Sequence, residues 1–128
     1  MQELKDRIVK EGKVLPGNII KVDGFLNHRI DTELMDHIAE EFGKHFNMDE
    51  VTMILTAEAS GIALSAIVAH HFHKPMIFAK KAKSDNIEGG LYQSDIFSYT
   101  YKKKVTLLVS KEWLSADDKV LIIDDFMA

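Results

Sequence analysis

The sequence predicts an open α/β sheet that is mainly parallel, with flanking helices, an antiparallel hairpin flap and a small N-terminal appendage. An apolar run at 51–56, a helical pattern at 61–72 and a strand at 76–80 follow one another closely, and this order favours a parallel strand pair. Two apolar segments, 96–101 and 105–110, flank a lysine run and predict a hairpin. A chain of 128 residues, 46% of them hydrophobic, is the size of one domain.

The N-terminal elements are predicted from apolar spacing and from turn residues. Leu34, Ile38, Phe42 and Phe46 recur at spacing four, which indicates one face of a helix that Asp31 or Thr32 caps. The elements expected here are a short amphipathic helix at 3–11, a turn at Pro16–Gly17, a short strand at 19–22 and a helix at 32–46.

The C-terminal elements are less regular. Residues 81–95 are polar, include Gly89 and Gly90 and fit no period, so a long functional loop is expected there. After the hairpin, residues 112–119 are expected to connect to a strand over 120–123. Four consecutive apolar residues predict that this last strand is buried.

Composition excludes several functional classes. The formal charge of −4 argues against nucleic acid, which calls for clustered lysine and arginine. The compact run Lys102–Lys104 is expected to be a solvated hairpin tip. The chain has no cysteine and no apolar segment long enough to cross a bilayer. A cytoplasmic protein is therefore expected.

Asp124 and Asp125 follow the last predicted strand directly. In open α/β sheets, ligands bind outside the carboxyl ends of the strands. An acidic pair there can accept hydrogen bonds from vicinal hydroxyls, hold a divalent cation or stabilise positive charge on a sugar ring. The alternative is a strand that ends in acidic residues for solubility or helix capping.

The segment Glu58–Gly61 lies between a predicted strand and the next helix. Backbone N–H groups at a helix start point outward and favour an anion. Small residues at Ala57, Ala59 and Gly61 would admit a phosphate close to the backbone. The alternative is an ordinary tight turn in which Ser60 caps the helix.

These segments together resemble a known family. VLIIDDFMA at the end of the chain is similar to the phosphoribosyl-pyrophosphate signature of type I phosphoribosyltransferases. The order and positions of KVDGFLNHRID, AEASGIA, FAKKAKS and this closing segment resemble the bacterial xanthine phosphoribosyltransferases, over essentially all 128 residues. The resemblance implies a type I phosphoribosyltransferase-like fold in one domain over 1–128, with residues 1–30 as a hood.

The resemblance also implies a reaction. The 5-phosphoribosyl group would pass from phosphoribosyl pyrophosphate to xanthine, giving xanthosine monophosphate and pyrophosphate. Asp124 and Asp125 would bind the ribose hydroxyls and stabilise the oxocarbenium-like transition state, one of them also assisting proton transfer. Magnesium would bridge the diphosphate. The expected partners are these two small-molecule substrates and, as in the family, a second copy in a homodimer.

Other roles follow from the same resemblance. The segment Glu58, Ala59, Ser60 and Gly61 would be the pyrophosphate loop, in which the family often carries a non-proline cis peptide. The flap from Lys81 to Asp95 would close over the reaction centre, with Lys80 or Lys81 placing charge near the leaving group. Ala128 would begin the loop that binds the phosphoribosyl group.

Base recognition is expected from the hood. Ile20 and Asn27 stand at the family's xanthine-contacting positions, an apolar wall and an amide that can answer the 2-oxo edge. From the residues alone, Asn27 and His28 are equally a simple turn.

Four alternatives stay open. His70, His71 and His73 resemble a metal cluster, although histidines in a last helical turn also favour the helix dipole, so no protein metal site is expected. A receiver domain also carries an acidic pair after a strand, but there the pair opens the domain. A purine-operon repressor, or a regulator like it, would sense phosphoribosyl pyrophosphate without catalysis. A different purine base is the fourth alternative.

The resemblance also implies an incomplete site. In the family a small-residue loop, a helix and further strands follow the acidic pair. The chain is therefore expected to be the N-terminal portion of such an enzyme and a poor catalyst alone.

Overall fold

The computed structural model describes residues 1–82, 90–98 and 102–126. A π-helical turn at Asp23–Asn27 and a 3₁₀ turn at Met48–Glu50 accompany the regular elements. In chain order these are α1 (Gln2–Glu11), β1 (Lys13–Leu15), β2 (Ile19–Lys21), α2 (Thr32–His45), β3 (Met53–Ala57), α3 (Ile62–His71), β4 (Met76–Ala82), β5 (Leu91–Ser98), β6 (Lys103–Ser110) and β7 (Val120–Ile122).

Five of the described strands form one mixed sheet in the order β5–β6–β4–β3–β7. β3 pairs in parallel with β4 and with β7, so the predicted β–α–β unit is confirmed. β5 and β6 form the predicted hairpin, and β6 pairs antiparallel with β4. β1 and β2 make a separate antiparallel hairpin near the N-terminus.

The core lies where α2 and α3 cover one face of β3. Leu34 and Ile38 of α2 pack with Ile54 and Val68, all at most 4% exposed. Asp31 is the N-cap of α2, and its carboxylate accepts a hydrogen bond from the Leu34 N–H at 3.1 Å. Of the helices in the described ranges, none has the length and the apolar character that a bilayer crossing requires.

The structure corrects the bounds of two predicted elements, the loop over 81–95 and the helix over 32–46. β5 begins at Leu91, and Lys81 lies in β4, so the predicted loop over 81–95 is strand at both ends. Residues 83–89 lie outside the described residues. Phe46 follows the last residue of α2 and is 47% exposed, so it does not extend the apolar stripe.

The last strand is not buried on both faces as predicted. β7 pairs only with β3 among the described strands, at one edge of the sheet. Leu121 and Ile123 face the core, whereas Val120 and Ile122 are 38% and 72% exposed. An apolar run thus marks the strand but does not tell whether both faces are covered.

The helix α1 packs Leu4 and Ile8 against the core and also makes charged contacts. Arg7 Nη1 donates to Asp31 Oδ2 at 2.8 Å, and its guanidinium lies 5.1 Å from the centre of the Phe25 ring. Glu3 contacts the His37 ring at 2.9 Å. Because Asp31 also caps α2, one carboxylate joins the two helices.

We expect this carboxylate to make stability depend on acid. The hydrogen bond from Arg7 and the Leu34 N–H lower the pKa of Asp31 below its usual value. The stabilisation is therefore present above the unfolded pKa and is lost as the pH falls through the lower folded pKa. At neutral pH, Asp31→Asn should melt a few degrees below the native chain, and the gap should close below the ordinary aspartate pKa of about 3.9.

Thermal melts at a series of pH values test this expectation. Asp49→Asn is the matched control, because Asp49 is exposed in the 3₁₀ turn. Its melting curve should stay close to that of the native chain at every pH. A gap for Asp31→Asn that stayed constant into acid would contradict the expected role of the carboxylate.

Candidate active site

Three segments that are distant in sequence meet at the Asp125 carboxylate. Asn27 Nδ2 donates to Oδ2 at 2.9 Å, and Ser60 Oγ donates to Oδ1 at 2.9 Å. The Phe126 N–H also donates to Oδ1, at 3.1 Å. The N-terminal segment, the β3–α3 loop and the end of β7 are therefore joined at one acceptor.

The charge of Asp125 accounts for this convergence. An ionised carboxylate has about four acceptor positions, and three donors from the described residues reach this one. Asn27 is part-buried with its donor on Asp125, so the amide is oriented by the acidic pair. A ligand hydroxyl that binds Asp125 would therefore compete with these donors for an acceptor position.

The two carboxylates of the pair differ in pKa. Partial burial raises the pKa of Asp124, and the neighbouring Asp125 carboxyl raises it further, while the charge of Lys81 opposes the rise. Burial also acts to raise the pKa of Asp125, but hydrogen bonds from Asn27, Asp124 and Ser60 together lower it. The opposite directions of these shifts make Asp124 the better proton acceptor of the pair.

The N-terminus of α3 lies directly against the pair. Gly61, its N-cap, is buried, and no side chain caps the helix. A Cβ at this position would lie 2.6 Å from Asp124 Oδ1 and 2.4 Å from Thr56 Oγ1. Only glycine permits this approach, which brings the positive end of the helix dipole to the carboxylates.

The β3–α3 loop has the predicted position but not the predicted cap. Ser60 donates to Asp125 instead of capping α3, so the tight-turn alternative is wrong in this respect. The peptide bond between Glu58 and Ala59 is cis, as the resemblance implied. The Glu58 carboxylate accepts a hydrogen bond from the backbone N–H of Lys81, which ties the loop to β4.

The remaining predicted residues lie at varying distances from the pair. Lys81 is close enough for its charge to act on Asp124, whereas the Lys80 ammonium lies 5.9 Å from the centre of the Phe78 ring. Ile20 is on β2 and is 45% exposed, so a ligand could reach it. Ala128 lies outside the described residues.

The histidines at positions 70, 71 and 73 make contacts with other side chains. His71 Nδ1 lies 2.7 Å from Asp36 of α2, and the rings of His70 and His73 meet edge to face at 6.3 Å. Across the described ranges, no group of three or more histidine, aspartate or glutamate side chains is arranged to hold a metal ion. The last-turn position on α3 agrees with the dipole interpretation.

An apolar groove of about 440 Å³ adjoins Asp124. Residues at the end of α2 and around the end of β7 line it, and among the predicted site residues that the structure describes only Asp124 borders it. Its lining residues are Phe42, Phe46, Leu121, Ile122, Ile123, Asp124 and Phe126.

Two site features were missed from the sequence. The Asn27–Asp125 hydrogen bond spans 98 positions, and no local pattern encodes it. Thr56 is 2% exposed beside Asp124 and Gly61. Its polar side chain at the end of an apolar strand was the available signal.

Comparison with known proteins gives a consistent result, although no protein-family model matches the chain. Xanthine phosphoribosyltransferase of Lachnoclostridium phytofermentans is 53% identical over 128 residues, covering 100% of this chain and 66% of the relative. That of Bifidobacterium animalis subsp. lactis is 49% identical, covering 100% of this chain and 67% of the relative. The chain thus spans about two thirds of the length of these curated relatives.

Solved structures agree on the fold. The APRTase from Giardia lamblia complexed with 9-deazaadenine matches with a TM-score of 0.71 at 22% identity, covering 93% of this chain and 65% of that chain. The adenine phosphoribosyl transferase from Trypanosoma brucei, in complex with AMP, pyrophosphate and ribose-5-phosphate, matches with a TM-score of 0.67 at 21% identity, covering 95% and 54%. The sheet and helices are therefore those of a type I phosphoribosyltransferase.

Proposed function

The chain belongs to the xanthine phosphoribosyltransferase family, and from that premise we propose that it carries the site for phosphoribosyl transfer in purine salvage. The substrates are phosphoribosyl pyrophosphate and xanthine, and the products are xanthosine monophosphate and pyrophosphate. The observation that supports this best is the meeting of Asn27 and Ser60 on Asp125. In this proposal Asn27 contacts the base, Asp125 contacts the sugar, and the loop that contains Ser60 binds the diphosphate. The three groups thus correspond to the three parts of the reactants.

In this proposal the acidic pair acts on the ribose. Asp125, whose pKa is lowered, accepts hydrogen bonds from ribose hydroxyls and stabilises the positive charge that develops on the ring. Asp124, whose pKa is raised, is the member of the pair suited to exchange a proton with the base. The lower pKa of Asp125 and the higher pKa of Asp124 support this division.

The β3–α3 loop receives the diphosphate. Ala59 and Ser60 are exposed at the start of α3, where backbone N–H groups and the helix dipole favour an anion. Lys81 adds positive charge near the same place.

Magnesium fits this site only when it binds together with the diphosphate. The described residues contain no protein cluster that could hold it alone, and Mg²⁺ commonly binds through substrate phosphates and water. When bound, the ion would neutralise charge on the leaving pyrophosphate. The loop Glu58–Gly61 would hold the diphosphate that carries it.

We assign base recognition to two residues of the hood (residues 1–30), Asn27 and Ile20. Asn27 donates one amide N–H to Asp125, which leaves its second N–H to donate to the 2-oxo group of xanthine and its carbonyl oxygen to accept a hydrogen bond from the base. Ile20 would supply an apolar wall. We further propose a cytoplasmic homodimer, which light scattering would test.

We expect Asn27 to determine the choice of base. In Asn27→Ala, the kcat/KM for xanthine should fall about tenfold or more, while the values for guanine and hypoxanthine change less. Measuring kcat/KM for the three bases in one assay checks this. Equal values for the three bases with the native chain would remove the xanthine assignment.

The transfer itself is tested by following xanthosine monophosphate formation. Two proteins should be assayed, the chain as it stands and the chain extended by the segment that the L. phytofermentans relative carries beyond the aligned region. Product formed in at least one of them supports the proposal. If both bind phosphoribosyl pyrophosphate and neither forms product, a sensing role replaces catalysis.

A further inference from the structure

The side chain of Thr56 is buried without a hydrogen-bond partner. Thr56 ends the inward face of β3 at 2% exposure. Within the described part of the chain, its Oγ1 is the buried side-chain polar atom that lacks a partner. Leaving a buried hydroxyl unpaired is costly, and valine would fill almost the same space without that cost. The described residues therefore do not supply the hydrogen-bond partner that this buried hydroxyl needs.

An acceptor of suitable chemistry is adjacent. Thr56 Oγ1 and Asp124 Oδ1 lie 2.4 Å and 2.6 Å from the same point, the place of a Cβ on Gly61. The distance between these two oxygen atoms is therefore at most the sum of the two distances. Asp124 Oδ1 presently accepts the Asp125 N–H at 2.9 Å. A modest rotation of either side chain would bring the hydroxyl into hydrogen-bonding range of the carboxyl.

We infer that Thr56 is a positioning residue, whose hydroxyl donates to Asp124 when bound reactants turn that carboxyl away from its present backbone partner. Thr56 lies beneath the start of α3 and does not touch the reactants. It acts through Asp124 by fixing where that carboxyl lies during transfer. The inference rests on the proposed function and adds to it a residue of the strand interior.

Two substitutions separate the hydroxyl from the shape of the side chain. Thr56→Val keeps the shape and removes the hydroxyl, whereas Thr56→Ser keeps the hydroxyl and removes a methyl group. Both should be made in whichever form of the protein, native or extended, turns over faster. In Thr56→Val we expect kcat to fall about tenfold with KM for both substrates unchanged, and a melting temperature at least as high as the native one.

Thr56→Ser should restore most of the kcat despite lower stability. Thr52→Val is the control, because Thr52 precedes the same strand and donates to Asp118 at 2.7 Å, away from the acidic pair. It should lower the melting temperature and leave kcat unchanged.

The outcomes distinguish this inference from the proposed function. The protein without a substitution, in the form chosen for the assay, is compared with Thr56→Val. If both transfer the phosphoribosyl group at the same rate, the inference is wrong and the function stands. A fall in the melting temperature of Thr56→Val, with kcat unchanged, also contradicts the inference and indicates that the hydroxyl only stabilises the fold. If neither the native nor the extended chain binds or turns over the substrates, the proposed function fails and the inference fails with it.

Discussion

Replacing Gly61 by alanine should abolish most of the activity and weaken the fold at once. The new Cβ would lie 2.4 Å from Thr56 Oγ1 and 2.6 Å from Asp124 Oδ1, with the Asp124 Cα at 3.4 Å. The Thr56 and Asp124 side chains must rotate away from the new methyl group, or α3 must shift from the end of β7, and either change displaces the Asp124 carboxyl. Overpacking of this kind costs about 1–3 kcal/mol of folding free energy, and a shift of about 1 Å at reacting groups costs about a hundredfold in rate.

Gly24→Ala is the matched control for this substitution. Gly24 lies exposed in the π-helical turn, and nothing lies within 4 Å of the Cβ that alanine would add. Urea unfolding and kcat should therefore be nearly unchanged in Gly24→Ala. If Gly61→Ala had the same urea unfolding curve and the same kcat as Gly24→Ala, the close approach of α3 to the acidic pair would not matter for function.

Asp125→Asn is expected to have the largest effect on the reaction. The substitution removes the negative charge and replaces one acceptor oxygen with an N–H₂ group, which would face Ser60 or Asn27, both of them donors. The positive charge on the sugar ring would lose its nearest anion. We expect kcat to fall by about 10²–10³-fold, the range for removal of a preorganised electrostatic group.

The same chemical change at Asp117 provides the control. Asp117 is exposed in the connector before β7, so Asp117→Asn should leave kcat unchanged. Circular dichroism should show that Asp125→Asn is folded before its kinetics are compared. Retention of the native kcat in a folded Asp125→Asn protein would remove the acidic pair from the mechanism.

Local patterns in the sequence were sufficient to place the two strand ends. The apolar runs before Glu58 and Asp124 predicted parallel strands, and the parallel pairing of β3 with β4 and β7 confirms them. Because the carboxyl ends of parallel strands share one edge, the loop and the acidic pair had to be neighbours. The identity of the base, by contrast, came from the resemblance alone.

Tertiary contacts changed the assignments that rested on single residues. The sequence allowed Ser60 to cap α3. In the structure, the Ser60 hydroxyl donates instead to the charged carboxylate of Asp125. The histidines at the end of α3 have no acid nearby in sequence, and it is the packing of α2 that brings Asp36 to His71. Exposure of Ile122 depends on β7 lying at the sheet edge, which the apolar run does not encode.

The sequence by itself determined the alternation of strands and helices, the loop before α3 and the acidic pair after β7, because each depends on neighbouring residues. Only the tertiary structure decided that Asn27 and Ser60 share Asp125, that Gly61 must lack a side chain, and that Thr56 is buried without a partner. These facts depend on distances between segments up to 98 positions apart. Such distances are set by packing and by the satisfaction of buried polar groups, which no local pattern records.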